Sequence, residues 1–178
     1  MPMQCARRIT LIVLVTCAPL FLCACESKSR DFVGESAARV LAAPDRVEAF
    51  RVAGTRGAPA TSEPADRAGN LAGFPITATG RNQGRDFGTR LGAVLLDDKS
   101  YEWQMAKGCI FDPGVAFRVW RGQESVIVLI CFKCEEVGIA PDDEIKNLHI
   151  KDADPGIPAL RRLAQEAFPD DVEIQQLK

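Results

Sequence analysis

A chain of 178 residues with 22 Lys and Arg against 24 Asp and Glu carries a formal charge of −2. That leaves no excess positive charge to neutralise phosphates, which argues against a nucleic-acid binder. With 47% apolar and 26% charged residues, the composition is that of a globular protein, neither disordered nor collagen-like, and the length fits one domain.

The chain opens with Arg7 and Arg8, followed by an uncharged, largely apolar stretch over residues 9–22, broken by Thr10, Thr16 and Pro19. This is the pattern of a secretory leader. As a permanent span it is short, because crossing a bilayer core takes about 20 apolar residues. The stretch ends in Leu22-Cys23-Ala24-Cys25, which resembles the lipobox of bacterial lipoproteins: an aliphatic residue, two small ones, then Cys. Cys23 is a less usual occupant of its position, and the resemblance covers residues 1–25 alone. It implies that residues 1–24 are a signal peptide, that the Cys25 sulfur receives a diacylglyceryl group, and that the new amine of Cys25 is often acylated as well. Two or three acyl chains anchor stably where one is marginal. An ordinary secretory cut after Ala24 fits less well, since it places Leu22 where a small residue is wanted. The expected location is the cell membrane or outer membrane, lipid-anchored, with the domain outside the cytoplasm. Loss of the leader removes two Arg and no acid, leaving 20 basic and 24 acidic residues, net −4. Lipid, rather than surface charge, would then hold the protein to the membrane.

Residues 25–35 are polar and read as a tether, with a single domain over 36–178. Residues 36–43 predict a short helix stopped by Pro44, and 45–52 a weak strand in which Val47, Ala49 and Arg51 alternate with Glu48, Phe50 and Val52. Residues 53–73, rich in Gly, Pro and Ala, predict a long loop, and 74–79 a short extended piece. Phe87, Leu91, Val94 and Leu95 recur at helical spacing, so 83–96 should be an amphipathic helix ended by Asp97-Asp98. Asp112-Pro113-Gly114 is turn chemistry. Residues 115–120 and 125–132 then flank a four-residue turn as an antiparallel hairpin. The second strand, with Val126-Ile127-Val128-Leu129-Ile130, is apolar on both faces and should be interior. Residues 158–168 predict a last amphipathic helix, with Leu160, Leu163, Ala164, Ala167 and Phe168 on one face. The sum is an α+β domain: a small antiparallel sheet around a central hairpin, with helices packed on it.

Four of the seven Cys lie in the leader region (Cys5, Cys17, Cys23, Cys25) and three in the domain (Cys109, Cys131, Cys134). Export would place the three outside cytosolic reduction. Several readings stay open. A structural disulfide could join Cys109 to Cys131 or Cys134, closing a loop of roughly 20–25 residues worth ~3 kcal/mol. All three could be reduced packing thiols, or one could bridge to another chain. Three thiolates with His149, the one His, would make a Cys3His zinc set, although only one CxxC is present. A thioredoxin-like pair at Cys131-Phe132-Lys133-Cys134 would need a helix N-terminus after it. The following Glu135-Glu136 and nearby Pro141 disfavour that.

His149, between Leu148 and Ile150, reads as an alternating surface residue. No Gly-x-Ser-x-Gly or paired nucleophile accompanies it. The acidic runs Asp97-Asp98, Asp142-Asp143-Glu144 and Asp170-Asp171 lack calcium-loop spacing. Residues 80–85 lack nucleotide-loop spacing, and Trp120 reads as cross-strand packing. The segment Cys109-Ile110-Phe111-Asp112-Pro113-Gly114-Val115-Ala116-Phe117-Arg118, with the later Cys131-Phe132-Lys133-Cys134, resembles a pattern that recurs in exported bacterial proteins. That resemblance spans about residues 74–140 and implies no activity. The expectation is a membrane-anchored lipoprotein with a non-catalytic binding or envelope-assembly domain, whose partners are the membrane and an envelope protein. The alternative is a metal- or thiol-dependent protein using Cys109, Cys131, Cys134 and His149, with zinc as its cofactor.

Overall fold

A computed structural model describes residues 27–53, 69–104, 106–141 and 144–178. The expected signal peptide, the Leu22–Cys25 motif, most of the 53–73 loop, and Asp142 and Asp143 lie outside the described residues.

The fold is α+β. Strands β1 (Arg46–Val52), β2 (Asn70–Leu71), β3 (Phe74–Thr79), β4 (Gln83–Gly84), β5 (Val115–Arg121), β6 (Glu124–Cys131), β7 (Glu136–Ala140) and β8 (His149–Asp152) form one antiparallel sheet. Its order is β2-β3-β1-β5-β6-β7-β8, with β4 pairing the start of β1. The helices are α1 (Lys28–Val33), α2 (Glu35–Ala42), α3 (Arg85–Leu95), α4 (Ile157–Ala167) and α5 (Val172–Gln175).

Strand alternation sorts the core into two layers. Val47, Ala49, Phe117, Val119, Val126, Val128, Ile130, Val137 and Ile139 point to the helices, where Leu41, Leu91, Leu95, Leu160 and Leu163 meet them. Ala116, Ile127, Leu129 and Ala140 point to the other face, which is covered by Leu71 and Phe74 of the β2–β3 hairpin and by Phe111 and Leu148. β6 is therefore covered on both sides, which is why its sequence is apolar at every interior position. A register shift between Arg51 and Val52 marks where β3 leaves its regular pairing with β1.

The chain departs from its sequence pattern in identifiable places. Residues 28–33, expected as tether, are helical: Ser29 and Val33 are buried, a footing too sparse to show as periodicity. The hairpin turn is two residues, Gly122 and Gln123, rather than four, because Arg121 and Glu124 pair and Gly122 takes a φ of +59° that suits glycine. β7 and β8 lie where no strand was expected. Gly138, weak for a strand, leaves room there for the side-chain ends of Leu148 and Phe111, which a Cβ would meet at 2.9 Å and push aside. The helix begins at Arg85 rather than 83 because Gln83 and Gly84 pair with Val47 and Arg46.

Candidate functional site

The three domain cysteines meet at the β6–β7 end of the sheet. β6 ends at Cys131, the chain turns through residues 132–135, and β7 starts at Glu136 opposite Cys131. Glu135 takes a positive φ of 59° to close the turn. Cys134 is bridged to Cys109, 25 residues away, and Cys131 is a free, fully buried thiol. The bridge therefore runs from the turn to the incoming 106–111 segment and not within the CxxC. Within the turn, the Cys134 amide donates to Cys131 Sγ at 3.3 Å.

A lysine doubles the clamp. Lys107 Nζ donates to the Cys134 carbonyl (2.9 Å) and to the carboxylates of Asp154 (2.6 Å) and Glu135 (3.4 Å). Burial works against the Lys107 charge, but Asp154 and Glu135 outweigh it and raise its pKa. Asp154 likewise resists burial through Lys107, and its pKa is lowered. Just past these fastenings Ile110 stands 87% exposed, while Phe111 turns inward, edge-on to Phe74.

Beneath this segment runs a polar row. Cys131 pairs with Glu136, and Glu136 with Asp152, so the three occupy one line across β6, β7 and β8 on the face away from the helices. Glu136 and Asp152 are 6% and 4% exposed, and Glu136 Oε2 and Asp152 Oδ1 find no hydrogen-bond partner. Burial, then the neighbouring Asp152 charge, pushes the Glu136 pKa up. The sequence drew no attention to this pair. Its two members are sixteen positions apart, and only the pairing register brings them opposite each other.

His149 does not join the cysteines. It pairs with Ile139, three positions along β7 from Glu136 and so on the other face, and its Nδ1 lies 3.1 Å from the Phe32 carbonyl oxygen. The Cys3His set is thus not assembled: two of its thiols are spent in a disulfide and the imidazole faces elsewhere. Among the described residues no group of three or more His, Cys, Asp and Glu is placed to hold a metal ion. The CxxC sits in a hairpin turn, not at a helix N-terminus, so the helix dipole that activates a dithiol pair is missing from it. Chemically the arrangement is a covalent and ionic clamp over a buried thiol and two buried carboxylates.

Elsewhere, Trp120 donates to Glu48 (3.0 Å) and carries Arg46 over its ring at 4.4 Å. A cleft of about 380 Å³ lies between the end of β3 and the end of α4, lined by Thr79, Gly80, Arg81, Phe168 and Asp170. The Arg81–Asp170 ion pair (3.2 Å) spans its rim. No described helix is long and apolar enough to cross a membrane. No protein-family model, no curated protein and no solved structure matches the chain.

Proposed function

We propose that this chain is a lipid-anchored bacterial envelope protein that presents a non-catalytic α+β domain outside the cytoplasm for binding or envelope assembly. The observation that carries the reading is the Leu22-Cys23-Ala24-Cys25 sequence closing an apolar stretch that follows Arg7 and Arg8. The Cys109–Cys134 bridge supports it, because such bonds persist outside the reducing cytosol. The burial of Cys131, Glu136 and Asp152 supports the non-catalytic part, because it closes these groups to a substrate.

The test is fractionation of the full chain and of Cys25→Ser in a bacterial host. The native chain should sediment with membranes and extract only with detergent, and the variant should accumulate unprocessed. A Cys25→Ser protein that is still cleaved and still enters detergent as the native chain does would refute the anchor.

A further inference from the structure

The chain next to the expected anchor is fastened to the body. The Asp98 carboxylate accepts from the Ser27 hydroxyl (2.9 Å), the Lys28 amide (3.3 Å) and the Ser29 amide (2.8 Å). The Ser29 hydroxyl donates to the Leu96 carbonyl (2.8 Å), and Ser29 itself is fully buried. The Ser29 amide above all, with the two serine hydroxyls, lowers the Asp98 pKa to about 2, so this clasp stays ionised at ordinary pH. Only Glu26 lies between Cys25 and Ser27, so two residue steps join them. Fully extended, they reach only about 7 Å.

That span is too short for a leash. We infer that the domain rests directly on the phospholipid headgroup layer, with the Asp98 end of α3 towards the lipid and the Trp120 end of the sheet away from it. The inference rests on the lipid-anchor reading and adds an orientation to it. Trp103 lies beside the clasp, since its Nε1 donates to the Asp98 carbonyl at 2.8 Å. Its ring is only half-buried, packs on Tyr101, and has Lys151 Nζ 5.6 Å above it. A half-buried indole with a satisfied N–H suits the headgroup level of a bilayer, and exposed Lys28 and Lys99 lie at the clasp, the first donating its amide to Asp98 and the second following Asp98 in the chain. The far end is fixed by the fold. α3 starts just after Gly84, which pairs with Arg46 beside Trp120, and runs 11 residues, about 16 Å, towards the clasp. Trp120 also points to the face opposite the helices.

The chain has two Trp, which makes the orientation readable. The full chain would be expressed with its leader, extracted as the mature protein, and reconstituted in phosphatidylethanolamine–phosphatidylglycerol vesicles carrying a headgroup nitroxide quencher. Trp120→Phe leaves Trp103 as the reporter, and Trp103→Phe leaves Trp120. The expected result is loss of Trp103 emission with Trp120 emission retained. If Trp103→Phe fails to fold, the difference between native protein and Trp120→Phe supplies the Trp120 signal. Equal quenching of both, or none of Trp103, on protein whose N-terminal peptide carries acyl groups would overturn the orientation and leave the anchor standing. An unacylated Cys25 would remove both. Asp98→Ala should keep the protein on the vesicles but reduce Trp103 quenching, and quenching equal to that of the native clasp would contradict the inference.

Discussion

Glu136 and Asp152 face each other across β7 and β8, both almost closed to solvent, each with one carboxylate oxygen lacking a partner. Like charges directly opposite in a sheet destabilise it, and burial sharpens the effect. The pair is therefore a built-in cost under the disulfide clamp.

The Glu136 pKa is raised in the folded state, so its contribution to stability is fully present below the ordinary carboxyl pKa and is lost as pH rises through the folded value. Glu136→Gln removes the charge and offers Asp152 a donor. It should stabilise the domain by about 1 kcal/mol at neutral pH, with the gain shrinking towards about pH 4. Urea unfolding of both proteins across that range checks this, and a gain that grows on acidification would contradict it.

Asp98 carries the opposite sign. Its pKa is lowered from 3.8 to about 2, so the clasp contributes stability above the ordinary value and loses it as pH falls towards the folded one. Asp98→Asn should unfold more easily than the native chain at neutral pH, and the difference should close between pH 3.8 and about 2. Thermal unfolding against pH measures this directly.

Peptide mapping without reduction should recover Cys109 linked to Cys134, with Cys131 alkylated only after denaturation. Cys109→Ser with Cys134→Ser should lower stability by about 3 kcal/mol, as expected for opening a loop of this length. A Cys131–Cys134 peptide, or rapid labelling of Cys131 in the folded protein, would contradict the clamp.

Gly92 on α3 lies against α2 so closely that a Cβ would fall 2.0 Å from the Leu41 carbonyl oxygen. Backbone cannot yield there as a side chain would. Gly92→Ala should cost about 2 kcal/mol or more, well above any gain from helix propensity, whereas Gly84→Ala, with nothing within 4 Å, should cost far less. Denaturant midpoints of the two variants decide it.

What the sequence makes legible follows from how each element earns its burial. β6 and α4 show because unbroken apolar residues, or a stripe at helical spacing, go straight into the core. β7 does not show, because Glu135, Glu136 and Gly138 look like a loop until the 106–111 segment and Leu148 cover them. α1 does not show either, because its sequence is polar and hydrogen bonds from Ser27 and Ser29 to Asp98 and Leu96 help to hold it. Of the site, the three cysteines are visible as a set, but the choice of Cys134 over Cys131 depends on the turn that carries one sulfur towards Cys109 and leaves the other in the strand row. The two carboxylates become neighbours only through β7–β8 register, which spacing along the chain does not encode.

The central claim is a lipid on residue 25. Intact-mass analysis of the N-terminal peptide from detergent-extracted native protein tests it most directly. The predicted result is a chain beginning at Cys25 with a diacylglyceryl mass on its sulfur. A chain that keeps residues 1–24, or begins elsewhere with the Cys25 thiol unmodified, would contradict it.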